Sequence, residues 1–194
     1  MLFEANIFSF GEINSEILET NRLILRPWLE SDAESLYKYA KDPDIGLPAG
    51  WPPHKSVEES LEIIKTVLMG KESYAISEKG NNEVIGAIAL KLNGSTDMTE
   101  RDDECELGYW LGKAFWGRGY MPEAAMELLR HGFEDLRMTT IWCGYYDGNT
   151  KSKRAQEKMG FRYHHTCNEV PVALLNEVRV GHTNYMTLEM WKNN

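Results

Sequence analysis

Apolar and polar residues follow two different periods along the chain, and these periods divide it into strands and helices. Alternation and β-forming residues mark strands at 22–28, 73–78, 83–92, 104–111, 139–146, 161–166 and 185–191. Apolar residues at helical spacing predict helices at 33–41, 57–69, 122–136 and 152–159. The order is therefore β-α-α-β-β-β-α-β-α-β-β, with no repeat and no linker.

This order of elements predicts the fold class. It favours a single α+β domain in which a mixed, mostly antiparallel sheet of seven strands is flanked by helices. Residues 1–17 show no clear period and are interpreted as an N-terminal arm of uncertain order, with the domain at 18–194. The proline- and glycine-rich stretch 42–53 is predicted to be an irregular loop that packs through its apolar side chains. Residues 167–184 give no clear pattern.

Length, charge and cysteine content narrow the class of protein. A chain of 194 residues with a net charge of −9 is large enough for a full core, and its charge argues against nucleic-acid binding while it suits an amine substrate. Three widely spaced cysteines give no disulfide framework. With no signal peptide and no apolar run of membrane-spanning length, a cytoplasmic protein without membrane contact is expected.

The stretch from Trp116 to Ala124 carries the strongest chemical signal. Two glycines and an arginine follow a strand and precede an apolar helix. Free first-turn amides and the positive end of the helix dipole suit a pyrophosphate, and Arg118 adds a charged donor. The same glycines also suit a plain tight turn. Neither a P-loop nor a Gly-x-Gly-x-x-Gly pattern is present at this loop.

Three motifs together resemble a known family. Residues 20–28 (TNRLILRPW), 106–111 (ELGYWL) and 116–120 (WGRGY), with Asn149-x-x-Ser152 and Met159-Gly160-Phe161 behind them, are similar to the GNAT superfamily of acetyl-CoA-dependent N-acetyltransferases. More narrowly, they resemble the branch that acetylates the N-terminal residues of ribosomal proteins. The likeness covers about residues 20–191.

The resemblance implies a coenzyme site. Its pyrophosphate would lie on the amides of Trp116, Gly117, Arg118, Gly119, Tyr120 and Met121. The strand before this loop would splay from its neighbour and pair through Trp110 and Leu111 with the pantetheine arm, while its amides polarise the thioester carbonyl. Asn149 matches a coenzyme-contacting asparagine, and it could equally cap the helix that follows, or do both.

Amine attack on a thioester needs a base and can use an acid. Glu106 is the first candidate base and Glu104 the second, since both lie on one face of the strand; either could instead be an ordinary solvated carboxylate. The family's usual tyrosine acid is replaced by Gln156. Ser152 is the next candidate acid, although it could be a first-turn residue only and the thiolate could leave unaided.

The function predicted is acetyl transfer from acetyl-CoA to a primary amine by direct attack in a ternary complex. The acceptor is a protein N-terminus or a small amine such as a polyamine, an amino acid or an antibiotic. A non-catalytic acyl-CoA-binding module is the alternative from another class. No metal is expected, because His164, His165 and Cys167 lack further ligands at suitable spacing. The resemblance is compatible with a homodimer.

Overall fold

The computed structural model describes residues 16–193 of the chain. Its eight strands are β1 (Leu18–Glu19), β2 (Leu23–Pro27), β3 (Ser73–Glu78), β4 (Val84–Lys91), β5 (Glu104–Leu111), β6 (Thr140–Tyr146), β7 (Arg162–Val172) and β8 (Glu177–Thr187). Its α-helices are α1 (Ala33–Ala40), α2 (Pro43–Ala49), α3 (Val57–Ile63), α4 (Tyr120–Arg130), α5 (Thr150–Met159) and α6 (Leu188–Lys192). One π turn extends α3 over Ile64–Leu68, and another extends α4 over His131–Asp135.

All eight strands form one sheet in the order β1-β2-β3-β4-β5-β6-β8-β7. Only the β5–β6 pair is parallel, and every other neighbouring pair is antiparallel. The predicted mixed, mostly antiparallel α+β domain is confirmed. The predicted count of seven strands is wrong by one, since the two-residue strand β1 adds an edge that is too short to show a period.

The core is divided by the sheet. One face packs against α4 and the end of α5 through a large cluster that includes Leu107, Leu128 and Ile141. The other face carries a smaller cluster that joins α1 and α3 to the sheet, with Trp28 and Leu36 at its centre. Side chains of β5 therefore alternate between the two faces of the sheet, so odd- and even-numbered residues point to opposite sides.

Two predictions about the regular elements are corrected by the structure. Residues 43–49 form helix α2, because Asp42 accepts from the amide of Asp44 as an N-cap, Pro43 occupies the first helical position and Gly50 closes the helix at φ 91°. The last strand is β8, which ends at Thr187 because the Thr187 hydroxyl caps α6. The 167–184 span is the β7–β8 hairpin, and its strand β7 is exposed on both faces, so it has no hydrophobic alternation to detect.

The predicted N-terminal arm lies mostly outside the described residues, which begin at position 16. Helix α4 begins at Tyr120, two residues before the predicted start, and Pro122 is then its third residue. A proline is tolerated there because first-turn amides have no partner within the helix. Among residues 16–193, no helix is long and apolar enough to span a membrane.

Candidate active site

The defining feature of the site is a divergence between β5 and β6. The two strands pair only from Glu104 to Glu106 on β5, whereas β5 stays paired with β4 as far as Leu111. On its other edge β6 stays paired with β8 from Thr140 to Tyr146, so beyond Trp142 only its edge toward β5 is unpaired. The predicted splay is confirmed, and the two strands bound a wedge with its vertex beside Glu106. The predicted pantetheine-pairing residues Trp110 and Leu111 lie on the diverging part of β5.

The glycine loop stands at the open end of this wedge. Gly117 and Gly119 adopt φ values of 76° and 77°, which residues with a side chain rarely adopt, and Gly119 is the N-cap of α4. The amides of residues 117–121 make no hydrogen bond to any group within residues 16–193. A Cβ built on Gly117 would meet nothing within 4 Å, so the space beside the Gly117 Cα is open. Unpaired amides at a helix start form an anion-binding surface.

Positive groups surround the loop. Arg118 is exposed, with its guanidinium 5.5 Å from the centre of the Phe115 ring. Lys151, in the first turn of α5, lies 3.8 Å above the Trp116 ring, and Trp116 is fixed by an indole N–H···O bond of 2.8 Å to the Leu111 carbonyl. These contacts bring the loop before α4 and the start of α5 together at the open end of the wedge. The setting suits a polyanion.

Asn149 is confirmed as the cap of α5. Its Oδ1 accepts from the Ser152 amide at 3.1 Å, and its Nδ2 donates to the Pro48 carbonyl at 3.1 Å. The second bond ties α2 to α5 across the end of β6. A cleft of about 300 Å³ opens at this point, lined by Leu47, Pro48, Tyr146, Asp147, Gly148, Asn149 and Arg179.

The two candidate bases lie at the paired end of β5, on the face opposite Tyr109. Glu106 is buried, accepting from Lys91 Nζ at 2.8 Å and from Thr96 Oγ1 at 2.5 Å. The β4–β5 register runs without a bulge here, so the predicted face of Glu106 is unchanged. Its carboxyl group is thus fixed by two donors at the vertex of the wedge.

Glu104 is held more completely than Glu106. One of its oxygens, Oε2, accepts from the Trp142 indole at 2.7 Å and from Thr99 Oγ1 at 2.8 Å. The other, Oε1, pairs with Arg101 at 3.2 Å. With three donors already in place, the Glu104 carboxylate has fewer free lone pairs than that of Glu106.

The structure also shows contacts of Ser152 that the sequence analysis did not predict. The Tyr109 hydroxyl lies 3.1 Å from Ser152 Oγ, and burial raises the pKa of the Tyr109 phenol well above its usual range. Gln156, fully buried, donates to Ser152 Oγ at 3.1 Å. Tyr109 shares a face of β5 with the buried residues Cys105 and Leu107, and this position could have predicted its role. A tyrosine on an inward face normally requires a partner for its hydroxyl.

The described residues 16–193 contain no group of three or more His, Cys, Asp or Glu side chains arranged to hold a metal. His164 instead packs edge-on against Trp142, with 5.1 Å between ring centres. The exposed Cys167 lies farther along β7.

Comparison with known proteins agrees with this geometry. The family model described as "Acetyltransferase (GNAT) domain" matches residues 22–162. The chain is 28% identical over 152 residues to the "Uncharacterized N-acetyltransferase p20" of Bacillus licheniformis, covering 76% of this chain and 83% of that protein. A GNAT-family acetyltransferase from Bacillus anthracis has a similar structure, with a TM-score of 0.78 at 21% identity over 90% of this chain and 99% of the other.

A second solved structure contains the coenzyme. The microcin C7 self-immunity acetyltransferase MccE, solved in complex with acetyl-CoA and AMP, is similar with a TM-score of 0.70 at 16% identity, covering 86% of this chain and 93% of that one. Splayed strands beside an amide-lined helix start define a coenzyme-binding acyltransferase fold. The chain belongs to the GNAT family of acetyltransferases, and its activity is acetyl-CoA-dependent N-acetylation.

Proposed function

We propose that this enzyme acetylates the N-terminal amine of a protein, by direct attack of the amine on acetyl-CoA in a ternary complex. The observation that carries the coenzyme part is the run of five unpartnered amides at 117–121, next to the open end of the wedge. The motifs at 20–28, 106–111 and 116–120 support the acceptor, through their resemblance to the ribosomal-protein branch.

In this proposal the coenzyme is held mainly by main-chain groups. The amides of Gly117, Arg118, Gly119, Tyr120 and Met121 bind the pyrophosphate, with added charge from the Arg118 side chain. The Trp116 amide, also predicted to bind it, already donates to the Lys113 carbonyl at 3.2 Å and is left out of this set. The free edge of β5 at Trp110 and Leu111 pairs with the amide-bearing pantetheine arm. Asn149 holds the start of α5 against this arm.

Glu106 is the proposed base. An ammonium has no lone pair, so the acceptor must lose a proton before it attacks the thioester carbon. Each Glu106 oxygen already accepts one hydrogen bond and keeps one lone pair free to accept a proton. Because the side chain is buried, the proton reaches it through a water molecule. Glu104 is the second candidate.

Collapse of the tetrahedral intermediate breaks the C–S bond, and the electron pair stays on sulfur. Ser152 is the proposed donor to this thiolate. Its side chain is half-buried at the start of α5, on the wedge side of the helix and within reach of β5. The product amide and free coenzyme A then leave separately.

Replacement of Gly117 by alanine tests the coenzyme part of this proposal. A left-handed φ costs a non-glycine residue about 1–2 kcal/mol, so the loop should relax and turn its amides away from the pyrophosphate. We expect the Kd for acetyl-CoA, measured by calorimetry, to rise about tenfold. Gly80→Ala is the matched control, since Gly80 has φ 81° and equally open surroundings in the β3–β4 turn. Equal affinities in the two variants would contradict the proposal.

The acceptor is tested by the release of free thiol with a panel of amines. Peptides with free N-termini should support turnover, and the same peptides with acetylated N-termini should not. Turnover with polyamines or free amino acids alone would assign a small-molecule acceptor instead. Acetyl-CoA binding without turnover on any amine would favour a non-catalytic binding module.

A further inference from the structure

A chain of four polar side chains crosses the wedge between β5 and β6. Tyr109 on β5 contacts Ser152 Oγ at 3.1 Å, and Gln156 Nε2 contacts the same oxygen at 3.1 Å. Gln156 Nε2 also lies 3.0 Å from the Gly144 carbonyl, while its Oε1 accepts from Asn184 Nδ2 at 2.8 Å. Ser152 Oγ therefore contacts one side chain from β5 and one from its own helix, and Gln156 links it onward to β6 and β8.

The Gly144 carbonyl fixes the orientation of the Gln156 amide. A carbonyl oxygen can only accept, so the amide nitrogen of Gln156 must face Gly144. The second hydrogen of that nitrogen then points to Ser152 Oγ, and the serine oxygen must accept it. One lone pair of Ser152 is thereby occupied.

Tyr109 is assigned as the donor to the other lone pair of Ser152 Oγ, in a pair of hydroxyls of which either can donate. Its hydroxyl is closer to Ser152 Oγ than to the Ser152 carbonyl, which lies at 3.4 Å. Burial raises the pKa of the Tyr109 phenol, so the phenol keeps its hydrogen throughout the neutral and mildly alkaline range and can donate it to Ser152 Oγ. With both lone pairs filled, the serine can use only its own hydrogen for a further bond.

We infer that Tyr109 and Gln156 are positioning residues that hold Ser152 as a hydrogen-bond donor to the departing sulfur. This inference rests on the proposed role of Ser152. It also gives Gln156 a function at the position where the resembling family often has a tyrosine. As the C–S bond breaks, the Ser152 hydrogen stabilises the negative sulfur, and no proton has to leave Tyr109.

Titration of enzyme-bound coenzyme A tests the inference without an acceptor. Ultraviolet absorbance of the thiolate reports how strongly the site stabilises negative sulfur. Tyr109→Phe should lower the ratio of thiolate to thiol about fivefold at a fixed pH, the effect of one net hydrogen bond. Ser152→Ala should act in the same direction, and the double variant should match Ser152→Ala alone.

Two further variants complete the test. Gln156→Met should act as Tyr109→Phe does, and it keeps the inference testable if Tyr109→Phe fails to fold. Tyr74→Phe is the matched control, because Tyr74 is also buried but donates to Glu72 at 2.8 Å. It should leave the titration of the bound thiol unchanged, and calorimetry should show normal coenzyme affinity.

The outcomes separate the inference from the proposed function. A shift in Ser152→Ala without one in Tyr109→Phe or Gln156→Met would overturn the positioning role alone. No shift in any variant, with coenzyme still bound, would overturn the role of Ser152 as well. Additive effects of Tyr109→Phe and Ser152→Ala would also contradict the inference, because the two residues would then act independently.

Discussion

The Glu106 carboxylate combines burial with an accessible charge partner. Its side chain is 11% exposed, while that of Lys91, its ion-pair partner, is 44% exposed. Water can therefore reach the pair from the Lys91 side. A carboxylate at the vertex of the wedge, beside solvent but held in one orientation, has the properties of a base that works through water.

Glu106→Gln should lower kcat by about a hundredfold, since general-base assistance typically contributes at least this factor. The Kd for acetyl-CoA should not change, because the carboxamide keeps the bond from Thr96 and lies away from the loop. Steady-state kinetics with the identified acceptor provide the measurement.

Glu83→Gln is the matched control for this variant. Glu83 is another partly buried carboxylate that pairs with a lysine, Lys38, and it lies just before β4. It should retain the wild-type kcat. A Glu106→Gln enzyme as active as Glu83→Gln would exclude Glu106 as the base and direct attention to Glu104.

At the level of elements, the strands with one buried face were predictable and the elements without such a face were not. Strands β3 and β5 were predicted at their observed bounds because each is rich in β-forming residues that the fold buries. Strand β7 exposes nearly every side chain, so its sequence does not alternate between apolar and polar residues. Helix α2 was not predicted because proline or glycine, which usually break helices, occupies its first, fourth and penultimate positions and Gly50 follows its last residue.

The candidate site divides in the same way. Backbone features such as the glycine loop could be predicted, because positive φ and free amides depend on local sequence. The partners of Glu106 and Ser152 could not, because Lys91, Thr96 and Tyr109 reach them only through strand register and the approach of α5 to β5.

Helix α2 is fixed to the sheet through its last turn, and this contact can be tested. A Cβ on Gly50 would lie 2.9 Å from Tyr146 Cε2 and 3.2 Å from Val172 Cγ1. Gly50→Ala should therefore push α2 from β6 and cost about 1–3 kcal/mol of unfolding free energy. We expect the acceptor KM to rise more than that of acetyl-CoA. Gly80→Ala isolates the cost of φ alone, and similar kinetics in both variants would contradict a role for α2 at the acceptor side.

At the scale of the whole molecule, buried thiols couple stability to alkaline pH. Burial between β5 and α4 raises the pKa of Cys105 to about 12, and burial also raises that of Cys143. In the unfolded chain the pKa of a cysteine thiol is about 8.5. Above that pH the unfolded state loses protons that the folded state keeps, so stability falls as the pH rises.

The free energy of unfolding should therefore decrease between about pH 8.5 and pH 10, by up to about 1.4 kcal/mol per pH unit for each buried thiol. Urea unfolding at several pH values measures this slope. Cys105→Ala should flatten it, whereas Cys167→Ala should not, because Cys167 is exposed. Equal slopes in the two variants would show that Cys105 is ionised in the native protein.

The early parting of β5 from β6 has a consequence for what the enzyme can tolerate. Strands that separate leave carbonyls and amides hydrated in the empty protein, and an incoming ligand with peptide-like groups replaces that water bond for bond. Recognition of this kind uses main-chain groups of the strands and no side chain. Side-chain substitutions along the wedge should change the rate of acetyl transfer and leave the affinity for acetyl-CoA unchanged. A change that lets β5 and β6 pair along their full length should abolish both.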